Sequence, residues 1–294
     1  MQESKQMDFS EKFVAFVDIL GFTDMVKDAE CGNGKSVAEL VDLLNAMAAI
    51  DNLNNIRAYG PIVCPESRCI NRDLDFQVVQ VSDCIVVSCE VSPAGIINLV
   101  NHCWIAAFRL LKQGILCRGY ITKGSIYHDG LQFFGSGYVR AFAGEKDGVS
   151  FKGGPAEKGT PFIELDTITC DYIAGCGDSC VQKQFSRLAE IDGDLRAIFP
   201  FKRLSHTVST GSFGPFKIEF DPSKERASNN IIREAINAMK EKILVHANEM
   251  DERAMKKTMH YLKALDSQLA NCDWIDESID KLLEPFPELR FEDL

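Results

Sequence analysis

The sequence predicts an α+β fold in which a β-sheet carries helices on one face, and three observations carry that expectation. Apolar runs of β-branched and aromatic residues alternate with stripes of helical spacing, in the order strand, helix, strand, strand, helix, strand. A two-residue break at Ser82-Asp83 divides two β-rich runs and reads as a hairpin. A chain of 294 residues with 46% hydrophobic and 26% charged side chains can bury a substantial core.

Each element has its own signal. Residues 13–17, Phe-Val-Ala-Phe-Val, form a short buried strand that ends at Asp18, and Ile19-Leu-Gly-Phe-Thr23 is a tight turn after it. Ser36 precedes Val37, Leu40, Val41 and Leu44, an amphipathic helical stripe, with Glu39 completing a capping box. Residues 51–75, richer in Asn, Pro and Arg, read as a loop or irregular insertion. Residues 76–81 and 84–91 are the two hairpin strands. A second helix carries Ile97, Val100, Trp104, Phe108 and Leu111 on one face and stops at Gly114. Residues 115–122 are a further strand, and Phe133-Phe134-Gly135 opens a segment leading through residues 138–145. After Asp221, Ile232, Ala235, Ile236, Met239 and Ile243 keep helical period, followed by Met255, Met259, Leu262 and Leu269. The organisation expected is therefore a domain over residues 1–220 and a helical extension over 221–294, serving as a packing or dimerisation arm.

Composition excludes several functions. With 32 Lys and Arg against 43 Asp and Glu the net charge is −11, and no stretch is basic enough to track a nucleic-acid polymer. No apolar run reaches the ~20 residues of a membrane helix. Residues 1–11 are polar, carry three acidic residues and do not resemble a signal peptide, so a cytoplasmic location without membrane insertion is expected. Eleven cysteines in such a chain read as reduced thiols, several of them small core residues in apolar runs, such as Cys84, Cys89 and Cys117. Cys170, Cys176 and Cys180 lack the CxxC pairs of a structural zinc site. None of the five histidines sits in a nucleophile motif, and no phosphate-loop or dinucleotide fingerprint occurs.

Two carboxylates stand out by position. Asp18 ends the first strand and Asp83 occupies the hairpin tip, places that are neighbours in a ferredoxin-like sheet. Converging there, they form a hard-oxygen site suited to Mg²⁺ or Mn²⁺. The turn 19–23 and the helix start beyond it offer backbone N–H groups to phosphate oxygens. Each aspartate taken singly also reads as an ordinary turn residue.

The segments Phe16-Val-Asp-Ile-Leu-Gly-Phe-Thr23, Val81-Ser-Asp83, Arg118-Gly-Tyr-Ile-Thr-Lys-Gly124 and Phe134-Gly135 through Ala141 resemble the catalytic domain of class III nucleotidyl cyclases. The likeness covers about residues 12–146 and is closest to the bacterial pyrimidine cyclases of the Pycsar anti-phage systems. It implies a ferredoxin-like cyclase sandwich and two divalent ions, Mg²⁺ or Mn²⁺, held by Asp18, Asp83 and the carbonyl of Ile19. It further implies attack of a ribose 3′-oxygen on the α-phosphorus of a nucleoside triphosphate, with pyrophosphate released. The implied product is cyclic UMP from UTP, or cyclic CMP from CTP, acting on a separate cyclic-nucleotide-responsive effector in antiviral defence. Class III sites form between subunits, so the resemblance implies a homodimer with active sites at its interface.

Departures from the purine enzymes shape the remaining expectations. The purine-reading position is Val79, which cannot hydrogen-bond a base; Gln77, Gln80 and Gln132 can each donate and accept and so suit a pyrimidine. The ribose Asn and transition-state Arg positions fall on Val139 and Ala143. Arg118 is the candidate catalytic replacement, with Arg140 for substrate binding and Lys123 and Arg57 as further cations. Phe22 and Tyr59 could stack on a base, and Thr23 lies beside the phosphate-binding turn. The missing Asn and Arg also leave open an inactive cyclase-like module used for dimerisation or sensing.

Overall fold

The computed structural model describes residues 8–64, 67, 72–154, 156–204, 212–213, 216–217, 220–247 and 252–283. Strand β1 (Ser10–Ile19) is followed by α1 (Phe22–Glu30), α2 (Val37–Ala48) and α3 (Ile50–Tyr59). The hairpin of β2 (Phe76–Val81) and β3 (Cys84–Glu90) leads into α4 (Pro93–Leu111), then β4 (Cys117–Asp129), β5 (Gln132–Phe134) and α5 (Ser136–Asp147). Next come β6 (Ile163–Leu165), α6 (Thr167–Gly175), α7 (Ser179–Leu188), β7 (Ala189–Asp192), β8 (Leu195–Ile198), β9 (Ser212–Phe213) and β10 (Phe216–Lys217). Two long helices close the described chain, α8 (Pro222–Ala247) and α9 (Glu252–Leu283).

One mixed sheet organises these elements, with strand order β2-β3-β1-β4-β6-β8-β7 and β5 paired to β4; β9 and β10 form a separate ribbon. β1 lies between β3 and β4, antiparallel to both, while β4 runs parallel to β6. The α+β class expected from the strand and helix order is the architecture found. The expectation of helices on one face needs correction. Phe13, Ala15, Val17 and Ile19 pack beneath α2 and α4, whereas Val14 and Phe16 pack on the opposite face with Ala141 and Tyr138 of α5. Strand β1 is thus buried on both sides, which explains its unbroken apolar run.

Helix α5 reaches the sheet closely because glycines face each other. A methyl group on Gly124 of β4 would lie 2.8 Å from the Cα of Gly137 in α5. Helix α4 is the core helix, with Leu99, Ala106, Leu110 and Leu111 fully buried, and each buried leucine contributes about 1.5–3 kcal/mol. It is also the one helix among the described residues long and apolar enough to cross a membrane, and 83% of its apolar 18-residue stretch is buried within the fold.

Three further expectations change. Part of the loop assigned to residues 51–75 is helix α3, which starts where Ala49 takes a left-handed φ of 45° and turns Leu53 and Ile56 inward. Residues 65, 66 and 68–71 of that assignment lie outside the described residues. The turn at 19–23 is shorter than expected, because Phe22 already begins α1. The thiols are not all reduced: Cys64 and Cys180 form a disulfide with Cα atoms 5.5 Å apart. Cys170 and Cys176 instead direct their sulfurs at the carbonyls of Leu165 and Ile173. The helical stretch after Asp221 forms α8 and α9, whose Ile236, Met239, Ile243, Tyr261 and Leu265 share a second core with Phe151, Phe162, Phe199 and Phe201.

Candidate active site

The end of β1 and the tip of the β2–β3 hairpin meet because of register. Asp18 pairs across the sheet with Cys84 of β3 on one side and Arg118 of β4 on the other. Val81 pairs with Cys84, leaving only Ser82 and Asp83 in the turn, and Ser82 takes a φ of 53° as tight two-residue hairpins require. The backbone then ties the two aspartate segments together. Ile19 N–H donates to the Asp83 carbonyl at 3.1 Å, and Leu20 N–H donates to the Leu116 carbonyl at 2.9 Å. Two carboxylates are held beside each other by backbone bonds rather than by flexible side chains.

Electrostatics follow from this crowding. The Asp18 carboxyl is pushed up to about 7, first by burial, then by the charges of Asp83 and Glu145, with Arg118 pulling the other way. Burial and the same three carboxylates raise the neighbouring Cys84 thiol to about 11, so it stays protonated at neutral pH. Glu145, on α5 and only 3% exposed, forms an ion pair with Arg118 Nε. Burial raises the Glu145 carboxyl, while Arg118 and then Lys257 lower it. A carboxylate forced toward protonation by other carboxylates is relieved by a divalent cation, so the donor set of Asp18 and Asp83 fits Mg²⁺ or Mn²⁺. Among the described residues no group of three His, Cys, Asp or Glu side chains closes into a cage, and Glu145 faces Arg118 instead.

The other sequence-predicted residues are placed unequally around this centre. Arg118 is at it. Phe22 is 8% exposed within the core under α2 and α4, so its ring has no open face for a base. Thr23 is exposed in the first turn of α1, whose cap is Gly21 with no side chain bonding the free N–H groups, an arrangement open to a phosphate. Gln80 lies three residues from Asp83 and donates to the carbonyls of Leu44 and Ser82 at 3.2 and 3.3 Å. Gln77 pairs with Ser88, which in turn pairs with Val14, four rungs or about 13 Å along β1 from Asp18. Gln132 pairs with Asp129 at the far end of β4, about 35 Å along the strand from Arg118. Arg140 donates to the Lys123 carbonyl at 2.9 Å, five residues up β4 from Arg118, and Lys123 pairs with Glu11. Tyr59 is exposed at the end of α3, which also carries Arg57.

Two charged residues of the site were missed by reading motifs alone. Glu145 had a legible signal: Gly137, Ala141 and Glu145 make one stripe of α5, and a carboxylate continuing a small apolar stripe needs a buried cation. Lys257 had none, because only the tertiary docking of α9 brings it near. No protein-family model matches this chain, and no curated protein matches it.

Proposed function

We propose that the chain is a pyrimidine nucleotide cyclase that converts UTP to 3′,5′-cyclic UMP and pyrophosphate, with CTP and cyclic CMP as the alternative pair. The observation that carries this reading is the register that sets Asp18 opposite Cys84, next to Asp83, with Arg118 on the other flank. The four-strand order β2-β3-β1-β4, all antiparallel with helices between β1 and β2 and between β3 and β4, supports the ferredoxin-like cyclase arrangement.

The residues divide the work. Asp18, Asp83 and the Ile19 carbonyl are the groups that would hold two divalent ions, Mg²⁺ or Mn²⁺. Such ions, when bound, lower the pKa of the ribose 3′-hydroxyl and neutralise phosphate charge. Arg118 offers a planar fork to phosphate oxygens from a position fixed by Glu145. The first turn of α1, exposed at Thr23, offers backbone N–H groups to the same phosphates. Gln80, closest of the three glutamines to Asp83, is the best placed in its own chain to read a pyrimidine edge. Val79 is buried and offers the base no polar group.

A homodimer with shared sites is supported by an apolar surface on the same side of the sheet as Asp18: Leu131, Phe134, Val139 and Phe142 are all exposed, Val139 by 61%. Gln132 and Arg140 lie in this region, so a second copy could receive them across the interface. In this reading the product signals to a separate cyclic-nucleotide-responsive effector in defence against phage. The ion pair that engages Arg118 favours a second reading, an inactive cyclase-like module for dimerisation or sensing.

The test incubates purified protein with each of the four ribonucleoside triphosphates and Mn²⁺ and identifies products by mass. Cyclic UMP or cyclic CMP is expected from the wild type and none from Asp18→Ala or Asp83→Ala. Absence of every cyclic nucleotide with the wild type would sink the enzyme reading and leave the inactive module.

A further inference from the structure

We propose that the Cys64–Cys180 disulfide is a reversible redox tether: a dithiol opens it at Cys64, and opening releases helix α7 without unfolding the sheet. The tether would operate whether or not the chain is a cyclase. It joins the connector that follows α3 to the first turn of α7, 116 residues further on. Its two sulfurs are unequally placed. Cys64 is half-buried, whereas Cys180 is 1% exposed, so an attacking thiolate reaches Cys64 first. The other eight cysteines among the described residues are free thiols, so position rather than general oxidation singles out this pair.

Polar anchors hold the two cysteines near each other independently of the bond. Asn98 of α4 is fully buried and clasps the backbone of Ile62: its Oδ1 accepts the Ile62 N–H at 2.9 Å and its Nδ2 donates to the Ile62 carbonyl at 3.1 Å. Ser67 Oγ donates to Asp178 Oδ2 at 2.9 Å. Ile62 and Ser67 flank Cys64, and Asp178 lies just before Cys180. After reduction the two thiols therefore stay within reach, and the bond re-forms at high effective concentration.

Helix α7 is the element whose state the bond controls. It has ten residues, fewer than the ~12–15 at which a helix is marginally stable by itself in water. Its Val181, Phe185 and Leu188 share an apolar groove with Ile97 and Val100 of α4 and Ile173 of α6. A short helix beside a groove loses fewer contacts on lifting than one sealed in a filled core. Gln184, one turn after Cys180, donates to Cys64 Sγ at 3.7 Å, so the tether touches a second turn of α7. Thiol poise then sets how open this face of the fold is.

Opening takes two exchange steps. A thiolate of the dithiol bonds to Cys64 Sγ while the Cys64–Cys180 bond breaks, and Cys180 leaves as a thiolate that takes a proton from water. The second thiol of the reagent then loses its proton and attacks its partner sulfur in the mixed disulfide, and Cys64 leaves and is protonated. Two electrons pass to the protein, and the dithiol ends as a cyclic disulfide.

The test equilibrates the full chain in buffers of reduced and oxidised dithiothreitol, maps each cysteine by alkylation and mass spectrometry, and follows amide hydrogen exchange. Cys64 and Cys180 should convert together under native conditions. Exchange across residues 179–188 should quicken at least tenfold while β1 and α9 keep their rates. Return to oxidising buffer should restore the same pair and the slow exchange. Glutathione should be caught as a mixed disulfide on Cys64. Cys64→Ser and Cys180→Ser should each show fast α7 exchange with no further response to dithiothreitol, and Cys31→Ser, at an exposed free thiol, should behave as the wild type. The proposal is overturned by a bond that opens only on global unfolding, by reduction that leaves α7 exchange unchanged, by a mixed disulfide on Cys180, or by reoxidation into pairs with Cys170 or Cys176.

Discussion

Replacing Asp18 by asparagine should stabilise the protein when no divalent ion is present. The amide mimics the protonated carboxyl in size and removes the charge that Asp83 and Glu145 oppose. A carboxyl moved from 3.8 to about 7 corresponds to roughly 4 kcal/mol, at ~1.4 kcal/mol per pH unit. The group keeps contact with water, and screening reduces that to about 2 kcal/mol. Because the folded state holds this proton more tightly than the unfolded chain, the stabilisation is complete below pH 3.8 and is lost as pH rises through 7. In EDTA at pH 8, Asp18→Asn should therefore melt about 4 °C above the wild type, at roughly 2 °C per kcal/mol for a chain of this size. The two curves should converge below pH 4. Saturating Mn²⁺ should reverse the order, since binding at a hundredfold excess over Kd adds about 2.7 kcal/mol to the wild type alone. Urea and thermal unfolding at pH 4, 6 and 8, with EDTA or Mn²⁺, would show this. A variant less stable than the wild type at pH 8 in EDTA, or stabilised as strongly by Mn²⁺, would refute the reasoning.

Three other perturbations test separate parts of the structure. Ser36 caps α2 by accepting the Glu39 N–H at 3.3 Å while Glu39 bonds the Ser36 N–H at 2.8 Å; Ser36→Ala should cost about 1 kcal/mol in urea unfolding, and no loss would mean the capping box is not formed in solution. The Cys64–Cys180 disulfide closes a loop of 116 residues, so dithiothreitol or Cys180→Ser should lower stability by about 2–4 kcal/mol; a wild-type melt indifferent to reductant would contradict the bond. Burial lowers His102 from 6.5 to about 4, so the unfolded chain takes this proton first and stability should fall as pH drops from 6.5 toward 4, by about 1.4 kcal/mol per pH unit. His102→Gln should flatten that slope over pH 7.5 to 4.5, and an unchanged slope would exclude His102 as its source.

The parts of the fold legible in the sequence were those set by local chemistry. The capping box at Ser36 and Glu39, the hairpin at Ser82-Asp83 and the stripe from Ile97 to Leu111 each depend on residues within a few positions of one another. Helix α1 has a legible signal, since Phe22, Met25, Val26 and Ala29 have helical spacing and pack on the core, but Gly21 in the left-handed region just before it reads as part of a turn. The asparagines of α3 hid a helix, because Asn52 is buried against His102 at 2.9 Å instead of serving a loop. The second covered face of the sheet was illegible, since only contact with α5 makes Val14 and Phe16 core residues. At the site, Asp18 and Asp83 could be placed together from strand order, whereas Glu145 and Lys257 depend on how α5 and α9 dock.

The register between β1 and β4 also bears on how the chain reaches this state. Asp18 and Arg118 are about 100 residues apart in sequence but adjacent across the ladder, so closure of a long loop precedes assembly of the site. Until β4 has emerged from the ribosome, the apolar run from Phe13 to Val17 has one neighbouring strand at most and no α5 to cover its second face. A fragment ending before Cys117 should therefore aggregate, whereas the full chain should refold slowly from dilute denaturant in a single phase limited by β1–β4 pairing. Soluble, compact behaviour of that fragment would show that the central strand is protected earlier than its pairing implies.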